Sequence, residues 1–174
     1  MSMPSRSVAG SLPFDGSPRP MDYLDPAHVV VDLDVSSRKR LFEEIARVVT
    51  ENGSGTEIQA MLPLTPESVF ETLHERERLG STGIGKGIGL PHGRLKNLSE
   101  PIIAMVRLES PIEYAAPDCE PVWFIVCLLV PEDANEVHLN LLAELAKRLD
   151  DSGFVSLIRE AKTSDEIMQL FSGA

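Results

Sequence analysis

Apolar residues recur at the three- and four-residue spacing of helices in several stretches of the chain. Four of these stretches start next to a residue that can cap a helix or at a proline that suits the first helical turn. They predict helices that begin after Ser36 or Ser37, after Thr65, after Asp133 and after Thr163. Residues 154–161 carry the same spacing over a shorter length and predict one further helix.

The pattern changes between the second and third of these helices. Residues 84–90 form an apolar stretch interrupted by glycines, 102–108 are rich in β-branched residues, and 122–130 are continuously apolar. A continuously apolar strand is typical of the centre of a sheet that is covered on both faces. Helices and strands alternate along the chain, so we predict an α/β fold in which helices surround one sheet.

The first twenty residues show neither pattern. They combine prolines, serines and glycines with scattered apolar residues, a composition typical of a flexible segment. The length of 174 residues suits one domain. We therefore predict a flexible N-terminal extension over residues 1–24 and a single domain over residues 25–174.

The chain is acidic, with 27 Asp and Glu residues against 16 Lys and Arg residues and a formal net charge of −11. This charge disfavours binding to nucleic acids or anionic membranes, because both need positive charge on the protein. No apolar run reaches the length of a membrane span, and no signal-peptide pattern is present, so we predict a cytoplasmic protein. The two cysteines, Cys119 and Cys127, do not suggest a disulfide framework.

The segment 79–94 contains six glycines and holds His92 between Pro91 and Gly93. Glycines let a backbone approach a ligand closely, and Pro91 stiffens the chain before the histidine. Residues 76–97 carry five basic side chains and one acidic one in this otherwise acidic chain. The segment therefore predicts a site for a small anion or for phosphoryl chemistry on a firmly held imidazole.

This segment does not match either of two common nucleotide-binding motifs, the P-loop and the dinucleotide-binding loop. Residues 80–86 approach the P-loop pattern, but Gly87 stands where a magnesium-binding hydroxyl is required. A P-loop also joins a strand to a helix, whereas this segment follows a predicted helix. The glycine spacing does not fit the dinucleotide-binding pattern G-x-G-x-x-G either.

His92 is a candidate nucleophile, because an unperturbed imidazole has a pKa of about 6.5 and is largely neutral near pH 7. Its attack on phosphorus would give a phosphohistidine. The guanidinium of Arg76, the hydroxyl of Thr82 and backbone N–H groups around Gly93 are candidate ligands for the phosphoryl oxygens. The alternative is a histidine whose ring stabilises its own loop through hydrogen bonds.

His138 follows 46 residues later, in the first turn predicted after Asp133 and four residues before Leu142. A helix N-terminus disfavours a protonated ring and attracts phosphate, so His138 is a candidate for a neutral hydrogen-bond donor at the site. The alternative is a helix residue with a satisfied ring. A zinc site built from His92, His138 and a cysteine lacks the close ligand pair that such sites use.

Two motifs resemble the enzyme IIA family of the bacterial phosphotransferase system, of the fructose, mannitol and nitrogen type. The first is segment 75–94, ERERLGSTGIGKGIGLPHGR, and the second is segment 121–139, PVWFIVCLLVPEDANEVHL. The likeness continues through residues 142–149 and runs from about residue 25 to the C-terminus. The resemblance implies a mixed β-sheet with helices on both faces.

The resemblance also implies a mechanism. His92 would accept a phosphoryl group from a histidine-containing phosphocarrier protein of the HPr or NPr kind. His138 would orient or stabilise that group, and Arg76 would contact it. No metal or organic cofactor is implied.

Within this family, the sequence is most similar to the nitrogen-regulatory IIA proteins, which signal through their phosphorylation state. A sugar-transport IIA subunit that passes phosphate to a IIB domain is the alternative, and a binding module that senses partners without phosphorylation is a third possibility. Three residues stand out against the family pattern as we expect it, namely Lys86 at a position that is usually uncharged, Gly89 where alanine is frequent, and Trp123 in the second motif.

Overall fold

The computed structural model describes residues 18–51, 64–96 and 98–172. The greater part of the predicted N-terminal extension, residues 1–17, lies outside the described residues, so its flexibility stays a prediction. Residues Pro20–Tyr23 form a 3-10 turn that leads directly into the first strand. In the described part of the chain, no helix has both the length and the apolar character needed to cross a bilayer.

The described residues form a succession of strands and helices. The strands are β1 (Leu24–Leu33), β2 (Gly83–Gly85), β3 (Ile88–Gly89), β4 (His92–Leu95), β5 (Ile102–Ile112) and β6 (Val122–Pro131). The helices are α1 (Arg38–Glu51), α2 (Pro66–Arg78), α3 (Glu136–Leu149), α4 (Ser152–Glu160) and α5 (Ser164–Ser172).

The six strands form one mixed sheet in the order β1-β5-β6-β3-β2, with β4 also paired to β6. Strand β6 is antiparallel to β5 on one side and parallel to β3 and β4 on the other. Strand β1 is parallel to β5, and β2 is antiparallel to β3. The central position of β6 explains its continuously apolar sequence, because both of its faces and both of its edges are covered.

Helices cover both faces of the sheet. Ile125, Cys127 and Leu129 of β6 belong to the apolar cluster that α1 and α2 complete, whereas Phe124 and Val126 belong to the cluster completed by α3, α4 and α5. Successive side chains of a strand point to opposite faces, so one strand supplies both cores. The predicted α/β fold with a mixed sheet between helices is confirmed.

Hydrogen bonds at the helix starts agree with most of the predicted caps. The hydroxyls of Ser37, Thr65 and Thr163 each accept a hydrogen bond from the backbone N–H three residues later. The prediction that Asp133 caps α3 is wrong. Asn135 is the cap, and its side-chain oxygen accepts from the backbone N–H of His138 at 3.2 Å.

Two strands, β1 and β4, were not predicted from the sequence. The predicted single strand over residues 84–90 is a hairpin of β2 and β3, which turns at Lys86 and Gly87 with φ values of 62° and 81°. Two successive positive φ values are typical of the tight turns that match the twist of paired strands. The hairpin and β4 together place His92 beside the central strand β6.

Candidate functional site

A cavity of about 600 Å³ opens between α2, strand β4 and the first half of α3. His92, the first residue of β4, lies partly buried in its wall. Charged side chains from α2 and β4 surround the histidine, namely Glu71, Glu75, Arg76 and Arg94. Apolar side chains complete the lining, namely Leu79, Leu128, Val130, Leu139 and Leu142. The cavity thus joins a polar centre, the charged side chains and His92, to apolar residues, of which Leu79 and Leu139 are exposed and form an apolar rim whereas Leu128 and Val130 are buried.

Hydrogen bonds to both ring nitrogens fix the tautomer of His92. Its Nδ1 lies 2.8 Å from the carbonyl oxygen of Leu90, and a carbonyl can only accept, so Nδ1 carries the proton. The Nε of Arg76 can only donate, and it lies 3.3 Å from Nε2 of His92. Both contacts require the same tautomer, in which Nε2 is unprotonated and its lone pair accepts the hydrogen bond from Arg76, a second residue of the cavity lining.

The environment of His92 favours the neutral ring. Burial lowers the pKa of His92 from its ordinary value, and the nearby charge of Arg76 acts in the same direction. The hydrogen bond to the carbonyl of Leu90 and the charge of Glu77 partly oppose this shift. The result is an imidazole that stays unprotonated, and therefore nucleophilic, at neutral pH.

The lowered pKa predicts a pH dependence. In the pH–rate profile of any reaction at Nε2, the midpoint of the acid limb is expected to lie below pH ~6.5, the pKa of an unperturbed histidine. The folded protein also binds this proton less readily than the unfolded protein. The neutral ring of His92 therefore adds to the free energy of unfolding above that pH, and this addition is lost as the pH falls through the folded-state pKa. An NMR titration of the His92 ring checks the shift, and a midpoint at or above the unperturbed value would contradict it.

Arg76 lies in the last turn of α2 and connects that helix to the histidine. Its Nη1 donates to the backbone carbonyl of Gly80 at 2.9 Å, while its Nε donates to His92. Among the described residues, no carboxylate forms an ion pair with this guanidinium. Its positive charge is therefore available to an anion that enters the cavity.

Gly93 packs closely against α2. A Cβ atom placed on Gly93 would lie 2.4 Å from Cγ2 of Thr72, far inside van der Waals contact. The absence of a side chain lets β4 approach α2, and this approach brings His92 within reach of Arg76. The structure therefore places Gly93 in the cavity wall, next to the histidine.

Replacing Gly93 by alanine is expected to destabilise the fold by about 1–3 kcal/mol, the usual cost of overpacking a filled interior. Thr72→Ser removes the methyl group that the new side chain would meet, so the double variant should recover part of this loss. Urea denaturation of the two single variants and the double variant measures the coupling. Equal losses for Gly93→Ala in both backgrounds would show that the close contact is not responsible.

Thr82 is not brought to the cavity. The residue is 4% exposed, and its hydroxyl donates to Oε1 of Glu77 at 2.6 Å. The hydroxyl oxygen of Thr82 also lies 2.9 Å from the hydroxyl of Tyr114. This hydroxyl has both of its hydrogen-bonding roles filled inside the protein. The sequence-based assignment of Thr82 as a phosphate ligand gains no support from this position.

His138 lies next to the cavity but does not line it. Its ring meets the ring of Tyr23 edge-on at a centroid distance of 6.4 Å. Its Nδ1 is buried and has no hydrogen-bond partner among the described residues. The following residue, Leu139, does line the cavity, so the first turn of α3 borders it.

Lys86 and Trp123, two of the three departures from the family pattern, belong to the support of the hairpin. The Nζ of Lys86 donates to the backbone carbonyl of Asp150 at 2.5 Å. The Trp123 indole N–H donates to the carbonyl of Lys86 at 3.3 Å. The guanidinium of Arg159 lies over the same indole, 4.1 Å from the ring centre. Neither side chain lines the cavity, so Lys86 does not add a charge to the polar centre.

Two residues of the site were missed or undervalued in the sequence. Arg94 lines the cavity, and its Nη1 donates to the carbonyl of Glu132 at 3.0 Å, which anchors a second guanidinium close to His92. Glu77 is buried behind the site and contacts Thr82. The one available signal for Glu77 was its position as a single acid in a basic segment.

The zinc alternative gains no support. Across the described ranges, no three His, Cys, Asp or Glu side chains are grouped as a metal site requires. Burial raises the pKa of the Cys127 thiol to about 12, which disfavours the thiolate that zinc binds. Cys119 is exposed in a turn.

Comparisons with known proteins show relatives that match most of this chain. The chain is 38% identical over 148 residues to a nitrogen regulatory protein of Pseudomonas aeruginosa, covering 84% of this chain and 90% of that protein. It is 38% identical over 152 residues to a nitrogen regulatory protein homolog of Haemophilus influenzae, covering 86% and 88% of the two chains. The crystal structure of nitrogen regulatory protein IIA-Ntr from Neisseria meningitidis matches with a TM-score of 0.78 at 34% identity, covering 87% of this chain and 97% of that one.

The model of one protein family, described as the phosphoenolpyruvate-dependent sugar phosphotransferase system, EIIA 2, matches residues 22–174. This match covers both motifs and every element from β1 to α5. The chain therefore belongs to the EIIA 2 family of the phosphotransferase system.

Proposed function

We propose that this chain is a phosphoryl carrier that receives its phosphoryl group on Nε2 of His92 from a histidine-containing phosphocarrier protein of the HPr or NPr kind. The observation that carries the proposal is the tautomer of His92. Its Nδ1 proton is held by the carbonyl of Leu90, so Nε2 presents a lone pair to a cavity that contains the guanidinium of Arg76. Membership of the EIIA 2 family supports the same chemistry.

The transfer exchanges one nitrogen–phosphorus bond for another. The lone pair of Nε2 forms the new N–P bond while the bond between phosphorus and the donor's histidine breaks, and the electrons of that bond stay on the donor ring. His92 keeps its Nδ1 proton throughout. Such a transfer needs mainly positioning and stabilisation of the charge on the phosphoryl oxygens, and the protein supplies both.

Arg76 changes partners during this reaction. In the unphosphorylated protein, its Nε donates to Nε2 of His92, the atom that forms the new bond. Once phosphorus occupies that lone pair, the guanidinium is released to donate to the phosphoryl oxygens beside it. Gly93 supports this arrangement, because its close contact with Thr72 holds β4 against the helix that carries Arg76. A direct contact between the Gly93 backbone and phosphate stays a prediction.

His138 is proposed to stabilise the transferred group from the start of α3. Its Nδ1 has no partner among the described residues, and the helix N-terminus that carries it favours a neighbouring anion. The ring now packs against Tyr23, so contact with a phosphoryl group requires the side chain to rotate toward the cavity. The apolar rim around Leu139 provides the surface on which the donor protein would dock.

Replacing His138 by alanine is expected to leave the fold intact and slow phosphoryl transfer by roughly 10²–10³-fold, the usual cost of losing one oriented donor. Single-turnover transfer from the phosphorylated donor protein measures the rate. His74→Ala is the matched control, because His74 stacks on Phe70 at the surface of α2 outside the cavity lining. Transfer at the wild-type rate in the His138→Ala variant would remove His138 from the mechanism.

We also propose that the role is regulatory, with the phosphorylation state acting as a signal. The relatives that match along most of their own length are named nitrogen regulatory proteins. A metabolic role would require the phosphoryl group to pass onward to a IIB domain. Incubating the phosphorylated chain with fructose- and mannitol-type IIB domains tests this point, and efficient transfer to either one would favour the transport role.

The central test is phosphorylation in a purified system. The chain is incubated with labelled phosphoenolpyruvate, enzyme I and a phosphocarrier protein, with each component omitted in turn. We expect one acid-labile, base-stable phosphate per chain, located on His92 by mass spectrometry of peptides kept at alkaline pH. A chain that stays unlabelled with both HPr-like and NPr-like donors, or a label elsewhere, would overturn the proposal.

A further inference from the structure

A buried polar network lies directly behind the cavity. Glu77, in the last turn of α2, has a side chain that is 2% exposed and forms an ion pair with Arg38 at 3.1 Å. Its carboxylate also accepts two hydrogen bonds from Thr82, one from the backbone N–H at 2.9 Å and one from the hydroxyl at 2.6 Å. A buried carboxylate is costly unless it is paired, and here both of its oxygens are used.

One branch of this network leads to His92. The carbonyl of Thr82 accepts from the backbone N–H of Leu90 at 2.9 Å, and the carbonyl of Leu90 accepts from Nδ1 of His92 at 2.8 Å. Glu77 holds Thr82 by its backbone and its side chain, Thr82 holds Leu90, and Leu90 sets the tautomer of His92. The position of the Glu77 carboxylate therefore bears on which ring nitrogen of His92 faces the cavity.

The other branch leads to Arg76. The backbone N–H of Gly80 donates to the carbonyl of Glu77 at 3.1 Å, and the carbonyl of Gly80 accepts from Nη1 of Arg76 at 2.9 Å. Residues 80–82 are thus fixed at one end by the backbone of Glu77 and at the other by its carboxylate. The two branches meet again where Nε of Arg76 lies 3.3 Å from Nε2 of His92.

We propose that Glu77 is a positioning residue for phosphoryl acceptance. It acts through Thr82 and Leu90 to keep Nε2 of His92 unprotonated and facing the cavity. Glu77 does not line the cavity and touches no reacting atom. The inference rests on the proposed function of His92 for its effect on transfer, but not for its effect on the tautomer. The outer partners that orient metal-binding histidines typically change affinity or activity by about 10- to 100-fold when they are removed, and we expect an effect of the same order for this orienting contact.

Two substitutions separate geometry from charge. Glu77→Leu is similar in size but has no polar atoms, so it leaves the Thr82 N–H without its acceptor. Glu77→Gln loses the charge but keeps one acceptor for the Thr82 N–H and one donor for the Thr82 hydroxyl, which can then donate to Tyr114. Thr82→Val is a milder third variant, because it removes the hydroxyl bond and keeps the backbone bond. Glu44→Gln, in an exposed ion pair with Arg47 on α1, is the control.

The first measurement is the ¹⁵N NMR spectrum of the His92 ring in the unphosphorylated proteins, which reports the tautomer directly. Wild type, Glu44→Gln and Glu77→Gln are expected to show a protonated Nδ1 and a bare Nε2. Glu77→Leu is expected to show a mixture of tautomers, with a smaller change in Thr82→Val. Circular dichroism establishes that each variant is folded at the assay temperature, and Thr82→Val carries the test if Glu77→Leu is not.

The second measurement is the single-turnover rate of transfer from the phosphorylated donor protein. We expect a loss of about 10- to 100-fold for Glu77→Leu and most of the wild-type rate for Glu77→Gln. A folded Glu77→Leu variant with the wild-type tautomer and rate would overturn the proposal, as would a Glu77→Gln variant as impaired as Glu77→Leu. If wild-type protein accepts no phosphate but the tautomer responds as expected, the proposed function fails and the positioning role stands.

Discussion

Replacing His92 by glutamine is expected to abolish phosphorylation of the chain while leaving it folded. Glutamine still offers a polar group to the Nε of Arg76, so the local hydrogen bond can be kept. It has no ring nitrogen that can form the N–P bond, and the residues that line the cavity include no second histidine. Labelling with phosphoenolpyruvate, enzyme I and a phosphocarrier protein measures the effect, and thermal denaturation checks the fold.

The matched control for this experiment is His74→Gln. His74 lies on the same helix as Arg76 and stacks on Phe70 at 5.6 Å between ring centres, away from the cavity. The control should accept phosphate like wild type. Label that persists undiminished in His92→Gln would show that another residue is the acceptor, and the assignment of the whole site would have to be abandoned.

Arg76→Ala is expected to reduce the rate of phosphoryl transfer by roughly 10²–10³-fold, because the cavity loses the donor closest to the developing bond. Arg76→Lys restores the charge but not the planar pair of donors, so an intermediate rate is expected. The same substitutions act on the histidine itself. The charge of Arg76 lowers the pKa of His92, so its removal in Arg76→Ala should raise that pKa toward the ordinary value.

Rapid-quench measurements of transfer and an NMR titration of His92 test both parts of this expectation. Arg40→Ala is the control, since Arg40 pairs with Glu43 at the surface of α1 and neither residue lines the cavity. A wild-type rate in Arg76→Ala would mean that the guanidinium is a structural clamp on Gly80 and takes no part in the reaction. An unchanged His92 pKa would show that burial alone accounts for the shift.

The helices were predictable from the sequence because each has a local signal. Ser37, Thr65 and Thr163 cap their helices as predicted, and the apolar spacing that follows each cap is independent of the rest of the fold. Strand β6 was predictable for a similar reason, since nine consecutive apolar residues at 122–130 are typical of a doubly covered strand.

Strands β1 and β4 had no comparable signal. Strand β1 includes Asp25, Pro26 and His28, which interrupt its alternation, and it exists because it lies parallel to β5. Strand β4 has only four residues, and one of them, Gly93, disfavours a strand in isolation. Its pairing with β6 from His92 to Leu95 decides its conformation. Pairing partners distant in sequence override local preference in such short strands.

The candidate site shows the same division. The glycine-rich segment and its histidine marked His92 as the reactive residue, and the resemblance to the IIA family assigned roles to Arg76 and His138. No sequence pattern showed that Thr82 turns inward to Glu77, that Lys86 reaches Asp150, or that His138 packs on Tyr23. Side-chain direction at these positions depends on contacts between segments that are far apart in the chain.

The sequence by itself determined where the helices begin, which strand is central, and which imidazole is the candidate for the chemistry, because caps, periodicity and residue type act over a few neighbouring residues. Only the tertiary structure decided which nitrogen of that imidazole is unprotonated. That choice depends on the carbonyl of Leu90 and the guanidinium of Arg76 arriving from opposite sides of the ring. It also depends on the buried Glu77, which connects to Leu90 through Thr82 and to Arg76 through Gly80. These segments meet only in the folded protein.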